Sequence, residues 1–385
     1  HNVPPVKYRQ MVNNGITPES ATESQLNEFA ATEYFYDGDR VSLMYKKGRK
    51  YSYGFAYAFN YPSGTDLNQW TTRTTVTLSD GTQRVYYYNR IGQLMLQKVA
   101  ESSASTAKTW NKLYQKFDPD NGRLVLSAGD SAIAAVDESD AGLVTLNETA
   151  GLIKVYTYTA SGRMETYSLK EGSTGSAILQ KSWAYVTRSA TDKGDIYLVS
   201  SETVYPDESG TSGIATTYSY SDWYAADSFQ FALQVTHLPV IPTSQNGTGA
   251  TLTTERHYNP RGLLTKTVDE RGTVTEFEWD ELRGGVVKKT QDPSGLNLIT
   301  NYTLDNRGRT ILELGPVHEI DLGGTATNIR SARWTYYKDS EAIRWSCSGY
   351  QTTASTPENQ IVGSVTIRQF NIAPPSGTEY SGWRQ

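Results

Sequence analysis

The 385-residue chain has a single cysteine, Cys347, so no disulfide can close within it and no cysteine cage can hold zinc. With no activating base in a motif beside it, Cys347 reads as a small buried residue. Only four histidines occur, His1, His237, His257 and His318, and no two stand at a metal-ligand spacing. No run of 18 apolar residues is present, which removes a membrane-spanning helix. No cluster of Lys and Arg stands out, and the net charge is −5 with a pI near 5.6. The electrostatic footprint of a nucleic-acid binder is therefore missing. Neither a Gly-x-Ser-x-Gly elbow nor a phosphate-binding Walker loop appears. No metal or cofactor is expected. Apolar residues make up 37% of the chain and the mean hydropathy is −0.54, too little for a thick interior of Leu, Ile and Val.

What the chain does have is aromatic side chains: 27 Tyr, 9 Phe and 8 Trp. A disordered chain would hold far fewer. Rings of this kind stabilise a sheet through pairs formed across neighbouring strands. The expectation is a sheet wetted on both faces.

The pattern that organises the chain lies between Thr251 and Pro316. Asn259, Asp269, Asp280, Asp292 and Asp305 each head a short phrase that reaches glycine, at Gly262, Gly272, Gly284, Gly295 and Gly308. The heads are ten, eleven, twelve and thirteen residues apart, room for one strand and one turn per step. An Asx side chain bonds to backbone two residues on, and glycine takes the left-handed conformation that closes a tight reversal. The intervening runs, such as Val274 to Trp279 and Leu298 to Thr303, are β-branched and aromatic.

Tyr258-Asn259-Pro260-Arg261-Gly262-Leu263-Leu264 followed by Asp269-Glu270-Arg271-Gly272-Thr273-Val274-Thr275 resembles the repeat phrase of the YD-repeat, or Rhs-repeat, proteins. Looser copies stand at Tyr88-Asn89 to Leu94, Phe117-Asp118 to Leu124, Tyr158-Thr159 to Met164 and Tyr36-Asp37 to Val41. The resemblance implies an all-β protein of repetitive antiparallel hairpins, forming a continuous curved or spiralling sheet that is part of a secreted or surface β shell, as in teneurin-like shells. Asp292-Pro293-Ser294-Gly295-Leu296 is superficially similar to the self-cleaving core phrase of toxin-delivering members, but it falls in phase with the ordinary turns. That core is expected to be absent.

The chain is read as a non-repeat segment over 1–33, degenerate repeats over 34–238, a Pro- and Gly-containing loop over 239–250, clear repeats over 251–316 and further hairpins over 317–385. Thr22-Glu23-Ser24-Gln25 has the form of a capping box and predicts one short N-terminal helix. Asp80-Gly81 between two alternating runs predicts a hairpin. The chain starts at His1 without Met or signal peptide and stops at Gln385 without a capping pattern, so both ends read as cut from a larger precursor.

Three functions fit these residues. In the leading one the chain is a non-catalytic wall segment whose edges pair with other chains or with fragments of the same precursor, outside the cell or on its surface. In the second, an aromatic face binds glycans. In the third, His257 and Tyr258 with Arg256 and Arg261 serve a polysaccharide lyase or hydrolase; neighbours in a strand point to opposite faces, which opposes this reading. Tyr258, Phe277, Trp279 and Tyr302 are expected to stack as a ladder on one face.

Overall fold

The computed structural model describes residues 1–17, 19–46, 49–339, 343–354, 356–362, 365–370 and 383–384. Ala342, residues 371–382 and Gln385, which belong to the expected terminal hairpins, lie outside the described residues. The protein is all-β, with repeated antiparallel hairpins. It divides into two compact units, His1–Ala184 with Thr203–Ile214, and Tyr185–Glu202 with Ala215–Gln385.

The first unit opens on two short helices where the sequence predicts one. The helix Glu23–Phe29 has the expected capping box: Thr22 accepts from the Gln25 amide while the Gln25 side chain accepts from the Thr22 amide. The additional helix, Pro5–Asn13, is announced by proline in its first turn, where the missing N–H removes no bond and φ is already set. From Thr32 the chain is a meander in which each strand pairs with the next, from Thr32–Asp37 with Arg40–Lys46 as far as Thr109–Phe117 with Leu124–Ala128. The predicted hairpin at Asp80-Gly81 joins Trp70–Leu78 to Gln83–Asn89.

One row of directly opposed residues crosses five of these strands: Tyr87, Leu96, Tyr114, Ala128 and Ile153. All are at most 2% exposed. They are covered because the chain leaves the sheet after Ala128 and returns only at Leu152–Tyr158, which pairs back onto Leu124–Ala128. The excursion folds into its own hairpin, Ile133–Val136 with Val144–Leu146, and lays Ala132, Ile133 and Leu143 into the core. The Tyr87 hydroxyl and the Arg73 guanidinium both bind the Glu138 carboxylate at its tip, and the Trp70 amide donates to the Ala141 carbonyl at 3.0 Å. The expectation of a sheet wetted on both faces is thus corrected for this unit. The excursion carries too few contiguous apolar residues to announce itself as a cover.

The second unit answers to that expectation. Its strands again pair with their sequence neighbours, from Phe231–His237 through Thr253–Tyr258, Leu264–Val268, Val274–Asp280, Gly285–Gln291, Leu298–Leu304, Thr310–Asp321 and Ala326–Lys338 to Ile343–Thr352. Ile329 and Ala332 are its buried apolar side chains among the described residues, and most others are half-buried. Gly315-Pro316 interrupts Thr310–Asp321, where the register shifts between Leu314 and Val317 because proline has no amide to give the ladder. Arg330 repairs the break: its guanidinium donates to the carbonyls of Gly315 at 2.7 Å, Ile299 at 3.0 Å and Leu314 at 3.3 Å. Burial there holds its pKa below the ordinary arginine value.

Candidate functional site: the repeat turns and their flanking aromatics

The repeat phrase can be read as one hydrogen-bonding circuit. At the turns headed by Asn89, Thr159, Asn259, Asp269 and Asp305, the head amide donates to the carbonyl four residues on, and the glycine amide donates back to the head carbonyl. The side chain of Asn259 accepts from the Arg261 and Leu263 amides, each at 3.0 Å. Asp269 accepts from Arg271 and Thr273 at 3.0 and 2.8 Å, and Asp305 from Arg307 and Arg309 at 2.9 and 3.0 Å. The glycine that closes each circuit sits in the left-handed region, with φ of +78° at Gly262, +82° at Gly272 and +77° at Gly308. Turns headed by Asp118 and Asp280 are one residue longer and close on Gly122 and Gly284, also at positive φ.

The same circuit explains the aromatic and the Leu of the phrase. The residue before the head opposes the residue six later across the hairpin: Tyr88 with Leu94, Tyr158 with Met164, Tyr258 with Leu264, Leu304 with Thr310. In the two longer turns the step is seven, Phe117 with Leu124 and Trp279 with Val286. In all six the register shifts at that aromatic or aliphatic residue, a bulge beside the turn.

Two sequence expectations need correcting. Gly295 is not the left-handed residue of its turn: Asp292 and Asn297 are, with φ of +53° and +50°. The Asp292 carbonyl accepts from both the Gly295 and Asn297 amides, and its carboxylate from Leu296, so the proline after Asp292 diverts the chain into a wider loop that Asx residues close. Nor do Tyr258, Phe277, Trp279 and Tyr302 form a ladder with one another. Tyr302 stands two residues ahead of Leu304, the true counterpart of Tyr258, and among the described residues no ring-to-ring contact joins any two of the four. Trp279 instead donates its indole N–H to the Leu264 carbonyl at 2.6 Å. Tyr258 meets Phe231 edge-on at 5.5 Å, and Phe231 also meets Tyr220 at 5.0 Å and Trp223 at 5.6 Å. This cluster of four is drawn from three strands, two in the degenerate stretch and one in the clear repeats.

The turn carboxylates carry a pH signature. Backbone amides donated to Asp80, Asp118, Asp269 and Asp280 hold these acids below the ordinary value of 3.8. At Asp305 partial desolvation works upwards, and the Arg309 amide and guanidinium outweigh it, so this acid too is lowered. A carboxyl lowered on folding stabilises the fold fully above 3.8, and the contribution is lost as the pH falls through the lower folded value. Asn259 and Asn89 do the same work without titrating. The urea midpoint of the protein is therefore expected to drop as the pH is lowered past 3.8, and to drop less in Asp269→Asn with Asp305→Asn. An equal drop in both proteins would show that the turns do not carry the acid sensitivity.

The remaining chemical candidates do not converge. The register does shift between His257 and Tyr258, yet the His257 ring is held 2.9 Å from Glu255 of its own strand while the Tyr258 ring lies on Phe231. Among the described residues no group of three or more His, Cys, Asp and Glu is arranged to hold a metal ion, and no helix is long and apolar enough to cross a membrane. Clefts lie elsewhere among the described residues. One of 440 Å³ lies beside Trp223 with Arg188 over its ring at 4.5 Å. Another, of 670 Å³, lies at the turn end of the first unit beside Phe59, Tyr61 and Gln69. Sequence reading passed over both, since their residues share no repeat position.

No family model matches the chain, and no curated protein does. Solved structures do. The chain is similar to one in the crystal structure titled TcdB2-TccC3-Cdc42, at 10% identity over 89% of this chain and 22% of that one, with a TM-score of 0.27. It is also similar to one in the crystal structure titled TcdB2-TccC3, at 11% identity over 96% of this chain and 25% of that one, with a TM-score of 0.16. The chain spans a quarter or less of their lengths. At these TM-scores the likeness carries no argument of its own.

Proposed function

We propose that the chain is a non-catalytic wall segment of an extracellular or cell-surface β shell of the YD-repeat kind, and that it assembles by strand pairing with other chains or with further parts of one precursor. The observation that carries this reading is the repeated turn circuit: chemistry is spent on closing hairpins at regular intervals, with carboxylates engaged by backbone amides rather than directed into a cleft. A wall built by adding hairpins has free edges, and such edges invite pairing unless they are blocked. The strand Thr32–Asp37 is one. It pairs with Arg40–Lys46 on one side, and among the described residues its other side has a single bridge, from Thr32 to Asn2. It presents Tyr34, Phe35 and Tyr36, all exposed, with neither proline nor lysine to discourage a neighbour.

Light scattering behind size-exclusion chromatography tests this on the full chain. The expected result is a species larger than the 42.7 kDa chain, shifted towards that mass by Tyr36→Pro, which removes an edge amide. A monodisperse 42.7 kDa species at all concentrations would overturn the assembly.

A further inference from the structure

We infer that the strand that fits the Thr32–Asp37 edge is the same strand of a second copy of this chain, joined antiparallel about a two-fold axis at Phe35. The inference rests on the wall reading in one respect, that this edge pairs. Which strand pairs with it follows from the edge itself.

The backbone sets the register. The Thr32 carbonyl accepts from the Asn2 amide at 2.8 Å, so the backbone groups of Thr32 face the outer side of the strand. The Phe35 carbonyl faces the opposite way, accepting from the Ser42 hydroxyl of the paired strand at 3.3 Å. In an antiparallel strand the amide and carbonyl of one residue point to the same side, and the side alternates along the chain. Tyr34 and Tyr36 therefore turn both groups outward, and among the described residues no backbone bond reaches them there. With Thr32 taken by Asn2, the stretch left open runs from Glu33 to Asp37, and its centre is Phe35. A second copy laid on that centre sets Tyr34 against the partner's Tyr36, each pair exchanging two N–H···O bonds, and Phe35 against the partner's Phe35. A slip of one residue would set outward groups against inward ones. A slip of two would lose a pair to Asn2 or to the turn at Gly38.

The side chains match themselves in this register. Tyr34, Phe35 and Tyr36 are 42%, 37% and 62% exposed, and aromatic pairs across neighbouring strands stabilise a sheet. The charges match too. Arg49 donates to the Glu33 carboxylate from Nε at 3.0 Å and from Nη2 at 2.9 Å, and its Nη1 is not engaged by any described residue. Asp37 is exposed and has no ion pair among the described residues. The join sets Asp37 opposite the partner's Glu33, so the partner's Arg49 lies with a carboxylate on either side, and the two-fold axis forms that contact twice. An arbitrary peptide strand would supply the hydrogen bonds but neither the aromatic pairs nor the carboxylate.

Cysteine cross-linking of the full chain in a Cys347→Ser background tests the pairing. Across the axis the two copies of residue 35 form a non-hydrogen-bonded pair with Cα atoms about 4.5 Å apart, a span that a disulfide bridges. Phe35→Cys is expected to give a linked dimer under mild oxidation. The two copies of residue 34 stand on a diagonal about 7–8 Å long, so Tyr34→Cys is expected to link to Tyr36→Cys when the two proteins are mixed and not to itself. Asp37→Arg, which turns the ion pair into a repulsion, is expected to weaken the dimer about tenfold at low salt and less at high salt. An assembled chain in which Phe35→Cys stays unlinked, in which Tyr34→Cys links to itself as readily as to Tyr36→Cys, or which Asp37→Arg leaves unchanged overturns the shared-edge pairing and leaves the wall reading standing. An unaltered chain that is monomeric at all concentrations overturns both.

Discussion

Leu96→Ala is expected to lower the stability of the first unit by about 3 kcal/mol, the middle of the range for emptying a fully enclosed leucine site. Leu96 is 0% exposed and stands second in the buried cross-strand row, between Tyr87 and Tyr114. Neither neighbour can swing into the vacated volume. The Tyr87 hydroxyl is fixed to Glu138 at the tip of the covering excursion, and Tyr114 is itself 0% exposed. The cavity therefore stays open, and the loss exceeds the transfer term of the missing methyl groups. Leu298 in the second unit, half-buried in a sheet with little cover, provides the contrast: its replacement by Ala is expected to cost about 1 kcal/mol. Chemical denaturation followed by tryptophan fluorescence separates the two variants. Equal losses would mean that the excursion does not seal the row.

Gly308→Val is expected to be the most damaging substitution among the repeat turns, at about 3 kcal/mol. Two effects add. A side chain at φ of +77° costs about 1–2 kcal/mol by itself. At this turn a Cβ would also stand 2.5 Å from the Arg283 carbonyl oxygen, which belongs to the neighbouring turn and cannot yield without opening it. Gly272 has the same backbone conformation, φ of +82°, and open space around it, so Gly272→Val is expected to show the conformational term alone. The difference between the two, measured as the shift in urea midpoint, isolates the contact between successive turns. Identical midpoints would remove that contact as a determinant of repeat spacing.

The two glycines also show how far the repeat was legible. Both conformations follow from Asx-x-x-Gly, because the head side chain and the glycine act within five residues and need nothing from the rest of the fold. The exception is instructive. Asp292-Pro293-Ser294-Gly295 has the right letters, yet the head residue itself takes the left-handed conformation and Gly295 does not. Here the local signal lost to a wider loop. The aromatic ladder failed for a related reason. A bulge shifts the register by one residue beside Tyr258, Trp279 and Leu304 but not in the hairpin that joins Val268 to Val274, so rings at similar distances from a turn in sequence do not keep one spacing in space. Tyr258 found Phe231, a partner from outside the clear repeats.

The sequence by itself determined the all-β class, the hairpin turns of most Asx-to-Gly phrases and the capping box at Thr22, because these depend on hydrogen bonds and backbone preferences that close within a few residues. Only the tertiary structure decided where the core lies. The row from Tyr87 to Ile153 is assembled from five strands, and it is dry because residues 129–147 leave the ladder and lie across it. No periodicity records that choice, since Tyr114 and Tyr158 have the same residue type and strand pattern, yet Tyr114 is fully covered and Tyr158 is not. The cleft beside Tyr61 is of the same kind. Its polar groups come from a turn, a strand end and a loop that meet only once the hairpins are stacked, and burial of the Gln69 oxygen is a property of that meeting, not of any one segment.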